Sequence, residues 1–364
     1  MFTNISLDPS LEAFNTLILD SIKSGAKAIL VFSCDANEFI KEDLDRVLQS
    51  YNIPIFGAIF PQILYKNKKY EKGNAILCFD DLVPNLHIIE NISSDETDIQ
   101  THLENIDEEF KSMFVFVDAF STSIDQLISE LYLEFGLENN FIGGGAGSLS
   151  FEQKPVILTN KGLLEDSAIL ATINSACGIG VKHGWKSIEG PFQITKADKN
   201  TILELDYKPA FEIYREVVEN HSNMIFNEDN FFEIAKSYPF GVSKVGNEKV
   251  VRDPITVDEG ALICVGGVKS GDYVDILNSN TLQLIEAASL ALDDALREVE
   301  TAQTTIFIDC ISRVLFMEDE FQQELDVVNK KSENLIGAMT LGEIANTGEE
   351  YLEFYNKTAV IGVF

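Results

Sequence analysis

Apolar residues recur along this chain with two alternating periods. Leu11, Phe14, Leu17, Ile18 and Ile22 mark one face of a helix that Asp8-Pro9 opens and Gly25 stops. Ala28 to Phe32 is an unbroken apolar run, as expected of a strand covered on both faces. After Ser33-Cys34-Asp35 the helical period returns at Ile40, Leu44, Val47, Leu48 and Tyr51. A second strand runs from Ile53 to Phe56 into Gly57-Ala58, and a further strand spans Asn74 to Phe79. The same order comes back. Ile99, Leu103, Ile106 and Phe110 line a helix, Phe114 to Val117 a strand, and Ile124, Leu127, Ile128, Leu131 and Phe135 another helix stopped by Gly136. Phe141-Ile142 then enters the bend Gly143-Gly144-Gly145-Ala146-Gly147, and Ala168 to Ile173 is the later strand. Near the C-terminus a third copy shows a helix from about Thr281 to Val299, a strand Thr305 to Ile308 and a helix marked by Met317, Phe321, Leu325 and Val328. Leu335-Ile336-Gly337-Ala338 and strands near Tyr351 to Tyr355 and Ala359 to Phe364 complete it. The polar end of the first strand and the glycine ending the second keep nearly the same spacing in each copy: Cys34 to Gly57, Asp118 to Gly143, Cys310 to Gly337. The pattern predicts an α/β (α+β) fold of repeated helix-strand-helix-strand-hairpin units forming mixed sheets.

Between the second and third copies, from Trp185 to Leu277, the texture is β-rich. Phe192 to Thr195 and Thr201 to Leu205 read as strands, and Pro209 opens a helix carrying Phe211, Ile213, Tyr214 and Val217. Lys269-Ser270-Gly271-Asp272 predicts the turn of a hairpin joining Ala261–Val265 to Tyr273–Leu277. With no linker rich in Ser, Gly or Pro, these parts are expected to pack together.

Composition narrows the partners. A chain of 364 residues suggests about two domains. Its 27 basic against 59 acidic residues give a formal charge of −32. Such a surface repels phosphate backbones and anionic headgroups, so neither nucleic acid nor a membrane is an expected partner. The coat also serves solubility alone. Five widely separated cysteines, mostly inside apolar runs, look like buried free thiols in a reducing compartment. With neither a signal-like N-terminus nor a spanning apolar run, a cytoplasmic protein is expected.

The candidate chemistry is sparse. A dinucleotide fingerprint needs a helix directly after its glycines, but Gly147 is followed by Ser148-Leu149-Ser150 and then Lys154-Pro155-Val156-Ile157-Leu158, a loop and a strand. The glycine stretch is therefore either a bend where layers pack closely or a neutral cradle offering backbone N–H groups to a small ligand. His183, beside the only tryptophan, Trp185, is a candidate haem ligand or a structural histidine. No paired zinc spacing is present. Cys310, with Arg313 nearby to lower its pKa, is a candidate nucleophile or a buried strand-end residue. Arg252, Arg313 and Glu343 each sit by a turn or a glycine. Arginine and carboxylate suit the two ends of a zwitterion such as an amino acid, or a single structural ion pair.

Ordered motifs extend this picture. They are Ile142-Gly143-Gly144-Gly145-Ala146-Gly147, Gly180-x-x-x-Gly184-Trp185, Ile194-Thr195-Lys196-Ala197 with Asn200, Glu204-Leu205-Asp206, and Pro209-Ala210. Further on come Arg252-x-Pro254-Ile255, Cys310-x-x-Arg313, Gly337-x-x-Thr340-x-Gly342-Glu343-Ile344 and Asn356-x-Thr358. In this set the chain resembles the FIST family, the F-box and intracellular signal transduction proteins, with an N-type domain over 1–205 and a C-type domain over 206–364. The resemblance implies a non-enzymatic sensory input module that binds a small ligand, with amino acids as candidates. It implies signalling through a histidine kinase, a chemotaxis protein or a cyclic-dinucleotide enzyme; with no such segment attached here, the partner is expected to be a separate protein. Some members are similar to haem-binding gas sensors, which keeps His183 in view although no cofactor is otherwise expected. Ser148 and Lys357 depart from the family's usual acidic residue and Asn-Gln-Thr ending. Gly144, Gly145 and Gly147 are expected to allow close backbone approach, and Arg252, Arg313, Glu343 and Asn356 to make polar contacts.

Overall fold

The structure, a computed structural model, describes residues 1–106, 108–136, 138–244, 249–299, 303–332, 334–346 and 351–364. Three times the chain runs helix, strand, helix, parallel strand, two-stranded hairpin and closing antiparallel strand. In the first repeat these are Leu11–Lys23, Ala28–Cys34, Lys41–Gln49, Ile55–Phe60, the hairpin Gln62–Tyr65 with Lys68–Tyr70, and Asn74–Phe79. In the second they are Ile99–Glu104, Ser112–Asp118, Ile124–Phe135, Asn140–Ala146, Ile157–Thr159 with Gly162–Leu164, and Ser167–Ile173. In the third they are Thr281–Arg297, Thr305–Cys310, a helical stretch broken into Ile311–Met317 and Phe321–Asn329, Leu335–Thr340, Glu343–Ala345 with Glu353–Tyr355, and Ala359–Val363. The α/β class and the repeated unit are as the hydrophobic pattern predicts.

Each repeat supplies the middle of one six-stranded sheet, but its hairpin crosses to another repeat's sheet. The first hairpin pairs with the third repeat (Ile63 opposite Ala338), the second with the first (Ile157 opposite Ala58), and the third with the second (Glu343 opposite Gly144). This exchange closes a ring of three, so every sheet is completed by a neighbour. The inward faces share one core. Phe116 of the second sheet lies 5.9 Å from both Phe32 and Phe60 of the first, and Phe114 lies 6.1 Å from Phe56. Outward faces are covered by helices: Met113, Val115 and Phe141 meet Leu103, Leu127 and Leu131, and Phe307, Met339 and Ile361 meet Leu284, Leu292 and Leu325. Strands buried on both faces need continuous apolar runs, which is why periodicity located them.

The glycines shared by the repeats mark equivalent crossings. Gly57, Gly143 and Gly337 stand opposite Val31, Val115 and Phe307 in the three parallel pairs. A Cβ on any of them would overlap the carbonyl oxygen of the residue opposite. The second of these strands differs from expectation. It continues through the glycines to Ala146 rather than bending at Gly143, with extended backbone at Gly143, Gly144 and Gly145. These residues are required by close approach, not by a turn.

Residues 186–278 form a separate unit. Its strands follow the order Lys186–Asp198, Tyr273–Asn278, Phe240–Ser243, Lys249–Asp258, Ala261–Val265 and Thr201–Leu205, and the last pairs back onto the first to close an antiparallel barrel. Tyr214, Val217 and Val218 of the helix Ala210–Ser222 pack with Ile194, Ile202, Phe240 and Ile276. The hairpin expected around Gly271 does not form. Ala261–Val265 pairs with Lys249–Asp258 and Thr201–Leu205, while Tyr273–Asn278 pairs with Lys186–Asp198 and Phe240–Ser243. The turn is real, with Gly271 at φ +101°, but barrel closure sends its two strands to different neighbours. The division expected at 205/206 falls between two paired strands of this unit, Thr201–Leu205 and Lys208–Pro209.

Candidate functional site

A cavity of about 470 Å3 opens where the second and third repeats meet the barrel. The strands Ser112–Asp118 and Thr305–Cys310 both end at it, and the segments that follow them supply Phe120, Ile124, Ile311 and Leu315 to its wall. Crevices beyond the carboxyl ends of parallel strands are where open α/β sheets place ligands. The barrel adds Ile255, Cys264 and Val265, and the third repeat Leu341 and Phe354. Phe151 lines the cavity while remaining exposed, and packs edge-on to Phe120 at 6.4 Å. Asp125, Lys199 and Asn200 are further polar residues of the lining.

Deeper in, Asp253 and Asn356 are each only 1% exposed. Asp253 accepts from Ser312 Oγ (3.0 Å) and pairs with Lys357 Nζ (3.1 Å), both through Oδ2. Burial raises the Asp253 pKa, and the Lys357 ammonium opposes that rise. Lys357, itself fully buried, also donates to the Lys236 carbonyl (2.9 Å) and lies 5.3 Å from the Trp185 ring centre. Asn356 Nδ2 donates to the Tyr355 carbonyl (2.8 Å), which fixes the amide because the reversed group would set oxygen against oxygen. Asp253 Oδ1 and Asn356 Oδ1 are thereby left buried with no hydrogen-bond partner among the described residues. An unpaired buried acceptor costs about 1–3 kcal/mol. A largely apolar hollow with a few placed polar groups is the ordinary composition of a small-molecule site.

Of the residues singled out from the sequence, Asn356 and Cys310 line this cavity. The others are placed differently. Arg313 is 0% exposed: Nη2 donates to Glu324 (2.5 Å) and the Leu284 carbonyl (3.1 Å), Nη1 donates to the His183 carbonyl (2.9 Å), and Nε lies 3.0 Å from Asp309. Its guanidinium is committed to the interior of the third repeat. Glu343 is equally buried, accepting from Thr340 Oγ1 (2.8 Å) and the Thr358 N–H (3.2 Å), and burial pushes its pKa up to about 8. The expected pairing of arginine with Glu343 around a zwitterion is therefore not built: Arg313 is paired with other carboxylates. Arg252 donates to the carbonyls of Gly267 (2.8 Å), Val251 (3.1 Å) and Phe354 (2.9 Å), tying the barrel to the third repeat's hairpin behind the cavity wall.

Gly144, Gly145 and Gly147 lie one layer behind that wall. A Cβ at Gly144 would overlap Thr340 and the Gly342 carbonyl, and Gly147 packs against Leu341 and Phe120. Gly145 exchanges backbone hydrogen bonds with Gly342 and Leu341 (2.8 and 3.0 Å). Close approach is thus made to the third repeat's chain. His183 does not line the cavity; its Nδ1 accepts the Trp185 N–H (2.9 Å), and burial draws its pKa down to about 4. The Cys310 thiol has its pKa pushed well above the ordinary value by burial and then by Glu343. Nothing in the sequence pattern marks Asp253 or Lys357 as a site residue. Asp253 stands inside the Arg252-x-Pro254 motif, and Lys357 marks the departure from the family's Asn-Gln-Thr ending.

Among the described residues no group of three or more His, Cys, Asp or Glu side chains could hold a metal ion, and no helix is long and apolar enough to cross a membrane. Comparison with known proteins matches residues 27–208 to the FIST N domain and residues 210–346 to the FIST C domain. An uncharacterized protein of Methanocaldococcus jannaschii is 21% identical over 287 residues, which cover 71% of this chain and 54% of that protein. The chain thus spans about half the length of that relative. FIST domains are associated with signal-transduction sensing. With both domains matched in order over nearly its whole length, the chain belongs to the FIST family.

Proposed function

We propose that this chain is a cytoplasmic sensory input protein that binds a small metabolite between its barrel and its repeats and signals through a separate protein. The carrying observation is the cavity itself, with two buried acceptors, Asp253 Oδ1 and Asn356 Oδ1, that no described residue satisfies. An amino acid is the candidate class: its ammonium end suits the acidic lining residues Asp125 and Asp253, its side chain the Phe120, Leu315 and Phe354 walls, and its carboxylate the exposed Lys199. Binding rather than catalysis is favoured because burial raises the pKa of both thiols in the lining, Cys264 and Cys310, and so disfavours the nucleophilic thiolate.

A ligand between two packed units shifts their arrangement by the difference in its affinity for each state. Here the Asp253–Lys357 pair joins barrel to third repeat at the cavity wall, so occupancy and inter-unit contact share one carboxylate. The downstream partner in this reading is a histidine kinase, a chemotaxis protein or a cyclic-dinucleotide enzyme. The test is a thermal-shift screen of metabolites against the wild type and Leu315→Trp, which fills the cavity from a half-buried position. At least one metabolite should raise the wild-type Tm and leave the variant unmoved. Equal stabilisation of both proteins by every hit would remove the cavity from the account.

A further inference from the structure

We propose that the open edge of the strand Phe2–Ser6 is a docking site for a separate protein, which adds an extended segment bearing Lys or Arg to the first sheet. Phe2–Ser6, Asn85–Glu90 and Gly178–Lys182 hold the same place in the three repeats, each ending one six-stranded sheet beside its closing strand. A sheet edge offers unpaired backbone donors and acceptors, and charged residues on the edge strand guard it. Asn85–Glu90 carries Glu90, which pairs with Lys161 (2.6 Å), and Gly178–Lys182 carries Lys182, 3.4 Å from Asp294. In the third repeat the helix Thr281–Arg297 also presses onto the edge strand: a Cβ at Gly178 or Gly180 would overlap the carbonyl of Ala295 or Ala291. Phe2–Ser6 has neither guard. It is uncharged, lacks proline, keeps an unbroken register with Asn74–Cys78 and has no strand on its other side among the described residues. The helix Leu11–Lys23 meets it where Asn4 donates to Ser21 (2.9 Å), but leaves a groove of about 660 Å3 alongside.

Asn4, Ile5 and Ser6 all line this groove. Side chains of a strand alternate between faces, so three consecutive residues bring backbone into the lining. The opposite wall is formed by Ala13, Thr16 and Leu17 and continues to Ser24. From Ala13 to Ser24 the helix rises about 16 Å, the span of about five extended residues, as many as Phe2–Ser6 holds. The charged residues of the lining are Asp8, Glu12 and Asp20, of which Asp20 also pairs with exposed Lys23 (2.9 Å). A segment whose backbone pairs with the strand and whose basic side chains meet these carboxylates fits both features. A second copy of a chain carrying −32 does not. The groove shares no lining residue with the cavity at the barrel, so this surface stands whether or not that hollow binds a ligand.

The experiment is fluorescence anisotropy of the full chain with a labelled peptide, Lys-Val-Lys-Thr-Lys-Val-Lys, blocked at both ends, followed by hydrogen–deuterium exchange of the complex. The peptide should bind, and amides of Phe2–Ser6 should exchange at least about tenfold more slowly in its presence. The same peptide N-methylated throughout keeps its charges but cannot donate to a strand, and its glutamate counterpart keeps the backbone but reverses the charge. Each should bind at least about tenfold more weakly. Thr16→Trp fills the groove from an exposed helix position, and Glu12→Lys with Asp20→Lys reverses its rim at two others. Both variants should weaken the peptide by a similar factor, and the charge reversal decides if Thr16→Trp does not fold by circular dichroism. The proposal is overturned if the peptide does not bind, if either control peptide binds as well, if Phe2–Ser6 gains no protection, or if the folded variants bind as the wild type does. Self-association of the chain that Thr16→Trp abolishes would give the edge to a second copy and overturn it too.

Discussion

Arg313→Ala should unfold much of this protein's stability rather than tune its binding. Arg313, Asp309 and Glu324 are all fully buried, and the guanidinium is the cation within reach of both carboxylates, at 3.0 Å and 2.5 Å. Burial pushes the Asp309 pKa well up, the Arg313 guanidinium opposes that rise and the neighbouring Glu324 carboxylate adds to it. Truncation leaves a buried charge uncompensated, which costs about 3–5 kcal/mol. It also frees the His183 and Leu284 carbonyls, worth about 1 kcal/mol each. The expected loss is about 5–7 kcal/mol, against a total of about 5–15 kcal/mol for a typical domain. Urea denaturation at pH 7, followed by far-ultraviolet circular dichroism, should show the midpoint fall accordingly. Arg313→Met combined with Glu324→Leu and Asp309→Asn should recover part of it, because removing the cation together with both carboxylates leaves no orphaned charge. A stable Arg313→Ala whose only defect is weaker ligand binding would refute the reasoning and return the guanidinium to the site.

Gly143→Ala puts a Cβ against the Val115 carbonyl in the second parallel pair and should cost about 3 kcal/mol, with the same result for Gly337→Ala at Phe307. A melting temperature within one degree of wild type for both would contradict the close crossing. Phe116→Ala, in the core shared by the sheets, should cost about 3–5 kcal/mol in the same denaturation assay. Glu343 has a folded pKa near 8 against an ordinary 4.5, so the native state holds a proton that the unfolded chain releases in between. Its contribution is complete below about 4.5 and is lost as pH rises through 8. Wild type should therefore lose more stability than Glu343→Gln from pH 5 to 8.5, and parallel profiles would refute the buried protonated carboxyl.

What the sequence revealed follows from where its information is local. Doubly buried strands such as Ala28–Cys34 and Thr305–Cys310 must be continuously apolar, and the crossings at Gly57, Gly143 and Gly337 exclude any side chain, so the repeats were legible. Which sheet a hairpin joins depends on residues far along the chain. Nothing in Ile157–Thr159 announces its pairing with Ile55–Phe60. The Gly271 turn misled for the same reason, since a turn fixes a reversal of direction but not the partner strand. At the site, arginine is the residue type that suits anions, yet Arg252 and Arg313 spend their donors on backbone carbonyls and buried acids. Asn356 was found through its motif. Asp253 was not, because an unmet oxygen is a property of packing and has no signature in composition or spacing.

The central claim, that a small ligand sits between barrel and repeats, is tested most directly by a crystal structure of the chain with its strongest stabiliser from the metabolite screen. The account predicts density within hydrogen-bonding distance of Asp253 and Asn356, enclosed by Phe120, Leu315 and Phe354. Density at any other surface, with this hollow holding only solvent, would contradict it.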